Sequence, residues 1–132
     1  MEENILEKLL QEKYSIKQMI GYFIVGYNNA EDKSDCNKIL NSITTSIIEI
    51  DKNKLLDMID RKYIEGIDLF WRVNVEQMLA YAYIVFRNLF RYDKEILIED
   101  IIEEFKQTSK LESPNNAEEY YEKNVKRKNK RT

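Results

Sequence analysis

The sequence predicts an all-α protein, a compact bundle of about six to seven helices around a buried central hydrophobic helix. Three observations carry this expectation. Apolar residues recur at three- and four-residue spacing, as at Ile16, Met19, Ile20, Phe23, Ile24 and Tyr27. One proline and three glycines in 132 residues leave few breakers, so helices joined by short turns are expected. From Met78 to Phe90 only Arg87 and Asn88 are polar, and a helix with no solvent face belongs in the middle of a bundle. That run is too short and too interrupted to cross a bilayer, which takes about 20 predominantly apolar residues.

Ile5, Leu6, Leu9 and Leu10 give a first short stripe, and Tyr14–Ser15 marks a kink or the start of a second helix capped by Ser15. Gly21 and Gly26 either weaken that helix, by up to about 1 kcal/mol each, or let a neighbour approach closely. The polar run NNAEDKSD ends it. Ser34 or Asp35 caps the next helix, whose face is Cys36, Ile39, Leu40, Ile43, Ile47 and Ile50. The stretch ITTSIIEI raises strand propensity, but its spacing favours helix.

Asp51 reads as a new cap, followed by a stripe of Leu55, Leu56, Ile59 and Tyr63. Gly66 marks a bend, a short turn runs through Ile67–Trp71, and the central helix starts near Asn74 and ends around Arg91. Asp93 is expected to open the next helix at once, with Ile98, Ile101, Ile102 and Phe105 inward and Glu95, Glu99, Glu103 and Glu104 toward water. Ser113–Pro114 starts a last, marginal helix that has only Tyr120, Tyr121 and Val125 to bury. This gives one helical domain over residues 1–125 and a basic, disordered tail over residues 126–132.

Charge and composition exclude several functions. The net charge is −3, yet Lys126, Arg127, Lys128, Lys130 and Arg131 crowd five positive charges into the tail, which leaves −8 on the rest. Such a body repels phosphate backbones, so contact with nucleic acid is expected only through the tail. Histidine is absent, which removes the commonest general base and imidazole metal ligand. The serines, threonines and Cys36 therefore lack a triad partner. Glu99 and Glu103 share a helix face, but a two-metal bundle site also needs Glu-x-x-His pairs, so that face reads as solvated. The glycines are isolated and form no phosphate loop. No catalytic residue, metal site or cofactor is expected, and the protein is not expected to be an enzyme.

A single cysteine excludes an internal disulfide and fits a reducing compartment. The first residues, MEENILEK, lack the basic start and long apolar run of a secretory signal, so a cytoplasmic location is expected. The aromatics Trp71, Tyr81, Tyr83, Phe86 and Phe90 read as core packing before a ligand pocket. Exposed tyrosines and aliphatics would suit a homodimer, because apolar patches on small proteins often mark contacts.

Around Leu69-Phe70-Trp71-Arg72-Val73-Asn74-Val75-Glu76-Gln77, followed by the apolar run to Phe90, the chain resembles the Bcl family of apoptosis regulators. The family's first homology motif reads roughly Leu-Phe, a few residues, Val-Asn-Trp-Gly-Arg, then a buried central helix. Leu69, Phe70, Val73 and Asn74 match in type, with one residue fewer between the pairs. QMIGYFIVGY resembles the first amphipathic helix of viral members, and DKEILIEDII falls where the sixth helix of the family begins. Val75-Glu76-Gln77 replaces Trp-Gly-Arg, so the glycine that admits a ligand helix and the arginine that pairs with its aspartate are both missing. A second-motif tryptophan and a C-terminal membrane anchor are missing too. Divergent viral members, in poxviruses and iridoviruses, are similar in losing these features while keeping the bundle; some keep the groove, and others use different faces to dimerise or to block host innate signalling.

The resemblance implies a viral inhibitor of host apoptosis or innate signalling, acting in the host cytoplasm by binding an amphipathic helix in a surface groove. Its expected wall is Ile59, Tyr63, Ile67 and Phe70, with Asn74 and Gln77 at the polar end; the four apolar residues read equally as core. A different class remains as the alternative: a small phage or mobile-element protein that inhibits or regulates a bacterial partner, since an Asn-, Ile- and Lys-rich composition suits any low-GC genome.

Overall fold

The computed structural model describes Glu7 and the residues from Gln11 to Lys126. The expected stripe of Ile5, Leu6, Leu9 and Leu10 and the tail beyond Lys126 lie outside the described residues. The described chain is an all-α bundle, as the spacing predicts. Its α-helices are α1 (Ile16–Asn29), α2 (Cys36–Glu49), α3 (Lys52–Leu55), α4 (Val75–Phe90), α5 (Ile98–Leu111) and α6 (Pro114–Tyr121), the last running into a π turn over Glu122–Lys126. A two-stranded antiparallel ribbon pairs β1 (Tyr14–Ser15) with β2 (Arg72–Val73), Tyr14 opposite Val73 and Ser15 opposite Arg72. No helix among the described residues is long and apolar enough to cross a membrane.

Local chemistry sets most boundaries. Ser15 Oγ accepts from the Gln18 N–H at 3.1 Å while the Ser15 N–H donates to Gln18 Oε1 at 2.9 Å, a reciprocal capping box that starts α1. Asp35 receives the Asn37 N–H at 2.9 Å, and Asp51 the Asn53 N–H at 2.8 Å, opening α2 and α3. At α6, Ser113 Oγ accepts from the Asn116 N–H and Pro114 takes the first helical position, where its missing N–H costs nothing. Each such cap contributes about 1 kcal/mol.

α4 is a core helix, burying Gln77, Met78, Ala80, Tyr81, Ala82, Val85, Phe86 and Leu89. The helix without a solvent face, however, is α1, in which every residue from Met19 to Tyr27 is buried. Its glycines are the physical reason. A Cβ on Gly26 would lie 2.8 Å from Ile43 Cα, so the α2 backbone crosses α1 there. One on Gly21 would meet Ile59 Cδ1 at 2.7 Å and Leu55 Cδ2 at 2.9 Å, so side chains from α3 and the turn after it cover that face. Both glycines therefore serve close approach. On the remaining side, Phe86 of α4 stacks on Tyr27 with centroids 5.9 Å apart and meets Phe23 edge-on at 6.3 Å.

Two expected helices change. The stripe Leu55, Leu56, Ile59, Tyr63 does not lie on one helix. After α3 the chain makes separate 3-10 turns, Leu56–Met58 and Arg61–Tyr63, the second opened by Asp60 accepting from the Lys62 N–H at 3.1 Å. Asp93 does not start α5 either. It takes a left-handed backbone (φ 48°) after α4, and α5 begins only at Ile98, where Asp100 Oδ2 accepts from the Leu97 N–H at 2.9 Å.

Three buried tyrosines fasten loops to helices. Tyr22 donates to the Ile50 carbonyl at 2.6 Å, Tyr27 to that of Ile96 at 3.2 Å, and Tyr81 to that of Glu112 at 2.7 Å. Burial first pushes all three phenols upward, with Tyr14 and then Asp51 adding at Tyr22, Glu95 at Tyr27 and Glu112 at Tyr81, so they remain donors at neutral pH.

Candidate functional site

The segment that precedes α4 is placed by three anchors. β2 pairs with β1, whose Tyr14 ring lies edge-on to Tyr22 at 5.9 Å and beneath Lys52 Nζ at 5.2 Å. Lys52 also reaches Glu12 at 2.7 Å and the Lys13 carbonyl at 2.8 Å, so β1 is held against α3. Directly after β2, Asn74 and Gln77 form a capping box on α4. Asn74 Oδ1 accepts from the Gln77 N–H at 2.8 Å, and the Asn74 N–H donates to Gln77 Oε1 at 3.0 Å.

Leading into these anchors, from Ile67 to Val73, the side chains alternate. Ile67 and Val73 are buried and Leu69 and Trp71 half-buried, Trp71 lying tilted over Tyr81 at 6.3 Å. Asp68, Phe70 and Arg72 are exposed, and Phe70, at 91% exposure, is almost free of protein contact. The burial alternates with the two-residue period of extended chain lying on a core, with one large aromatic on its outer side, and the chain enters β2 at Arg72.

The six residues expected to line a groove are divided by the structure. Ile59 and Ile67 belong to the core, Ile59 lying against Gly21. Tyr63 is half-buried, with Lys62 Nζ 4.9 Å from its ring centre. Asn74 and Gln77 use their side chains on the capping box, and Gln77 Nε2 donates to Asn115 Oδ1 at 3.2 Å, tying the start of α6 to that of α4. Phe70, with the rim of Tyr63, is what remains accessible. Asp68 and Arg72 escaped the sequence reading. Their signal was the alternation of Ile67, Leu69, Trp71 and Val73 with outward neighbours, in a stretch read as a turn.

Other candidates have bland environments. Burial chiefly, with Asp35 adding, raises the Cys36 thiol against the opposing pull of Arg87, so it stays protonated at neutral pH. Among the described residues no group of three or more His, Cys, Asp or Glu side chains is placed to hold a metal ion. A cleft of about 680 Å³ lies beside Tyr27, Lys33, Phe90 and Asp93–Ile96, but its charges are mixed and the Lys33 ammonium is engaged by the Asn28 and Ala30 carbonyls at 3.1 and 3.4 Å. No family model, curated protein or solved structure matches the chain.

Proposed function

We propose that this chain is a non-enzymatic protein-binding module whose contact residue is Phe70, flanked along the chain by the exposed Asp68 and Arg72. The observation that carries the reading is the 91% exposure of a phenylalanine on a segment held after it by β2 and the α4 cap and before it by the buried Ile67. Exposing that ring to water is unfavourable by about 1.5–3 kcal/mol relative to burying it, and a partner recovers this. Pinning keeps the entropic cost of binding low, and interface energy concentrates in such aromatic anchors.

The Bcl resemblance supplies the partner class: an amphipathic helix of a host protein, engaged by a viral inhibitor of apoptosis or innate signalling. Such a helix would lay an i, i+3, i+4 apolar face over Phe70. Its support is the match in type at Leu69, Phe70, Val73 and Asn74 ahead of a core helix. Calorimetric titration with a panel of pro-apoptotic helical peptides is expected to give at least one dissociation constant of about 1 μM or tighter. Phe70→Asp is expected to abolish that binding. Silence across the panel removes the Bcl reading, and binding that survives Phe70→Asp removes Phe70 from the site.

A further inference from the structure

We infer that the outward face Asp68–Phe70–Arg72 is self-complementary and pairs with the same face of a second copy, antiparallel about a two-fold axis through Phe70. The inference rests on the reading of Phe70 as a protein-contact residue and names a partner for it.

The pattern along the face is acid, aromatic, base, at every second position. Extended chain rises about 3.4 Å per residue, so successive outward groups lie about 7 Å apart. If two such segments run antiparallel with Phe70 opposite Phe70, position 68 falls opposite position 72 on both sides of the axis. Each Asp68 carboxylate then meets an Arg72 guanidinium, twice by symmetry, around a central aromatic pair. In a parallel arrangement Asp68 would face Asp68 and Arg72 would face Arg72, which is repulsive. The charge order thus selects one orientation.

Three further observations fit this occupant. Asp68 and Arg72 are exposed and in no ion pair among the described residues. The backbone of Asp68, Leu69 and Phe70 makes no hydrogen bond to another segment among the described residues, because the strand opposite β2 turns into α1 at Ile16 and the ribbon stops there. Among the described residues no strand of the same chain therefore lies alongside this stretch, which leaves Asp68 and Phe70 open to a partner. The inner residues Ile67, Leu69, Trp71 and Val73 sit on the protein's own core and fix which side faces out. A strap this short buries less than the 1,200 Å² or so of a stable interface, so the pairing is weak and concentration-dependent.

The test is analytical ultracentrifugation over a concentration series, with circular dichroism to establish that each variant is folded. Wild type is expected to pass from monomer to dimer. Asp68→Arg alone and Arg72→Asp alone each set like charges face to face and are expected to weaken dimerisation by more than about tenfold. Two rescues follow from the symmetry: the double variant D68R/R72D dimerises again, and an equimolar mixture of the two single variants forms a heterodimer. A wild type that stays monomeric at every concentration overturns the inference; so does a D68R/R72D protein no more associated than the single variants. If such a monomer still binds a helical peptide through Phe70, the self-pairing fails while the protein-binding reading stands.

Discussion

Helix α1 and the segment Ile67–Val73 are both rich in large apolar residues, yet one is enclosed on every side and the other leaves a phenylalanine in water. The difference lies in backbone period and residue size. α1 turns a new side outward with each residue, and its two glycines remove the bulk that would hold neighbours away. α2 closes on Gly26, side chains around α3 close on Gly21, and α4 supplies Phe86. The extended segment has only two sides. Its inner residues are covered by the bundle, and its outer ones have nothing over them. Enclosure thus depends on what can approach, and hydrophobicity alone decides neither case.

Substitutions can break or sharpen this contrast. The largest effect is expected for Phe86→Ala, which opens a cavity against Phe23 and Tyr27 and should cost about 3–5 kcal/mol in chemical denaturation. A loss below 1 kcal/mol would mean that α1 is not enclosed from that side. Gly26→Ala comes next, at about 1–3 kcal/mol, because the new methyl meets the Ile43 backbone. Gly21→Ala should be milder and stay within about 1 kcal/mol of wild type, since it meets movable side-chain tips and gains helix propensity. Equal effects at the two glycines would deny that α2 is the closer neighbour. Asn74→Ala removes the cap of α4 and is expected to lower stability by about 0.5–2 kcal/mol, measured as a shift in denaturation midpoint. Phe70→Ser should leave stability within about 0.5 kcal/mol of wild type. A large loss there would show that Phe70 is packed and would end its candidacy as a contact residue.

The parts of the fold legible in the sequence are those set by local chemistry. Ser15, Asp51, Asn74 and Ser113 mark starts of helices as read, and of the two candidates Ser34 and Asp35 it is Asp35 that caps α2, because a capping side chain bonds within its own turn. Arg91 closes α4 as read. Local spacing was less informative where a second signal competed. The stripe from Leu55 to Tyr63 is periodic, but Asp60 caps a fresh turn inside it and divides it. Asp93 resembles a cap, yet it sits in the left-handed region after α4, and Asp100 does the capping instead. Which helix is most enclosed depended on contacts between residues far apart in sequence, and only the glycines hinted at it. The candidate site was half legible. Phe70 was singled out, while its charged neighbours disappeared into a stretch read as a turn, because five apolar residues in seven mask the alternation.

Trp71 is the only tryptophan in the chain, and it lies next to Phe70 with its ring 6.3 Å from Tyr81. Nature has thereby placed one intrinsic fluorophore at the edge of the surface in question. Its half-buried position makes its emission colour sensitive to the loss of nearby water. Whatever covers Phe70, whether a helix or a second copy, should shift that emission to the blue. The molecule can be watched closing over its own exposed ring without a label being attached.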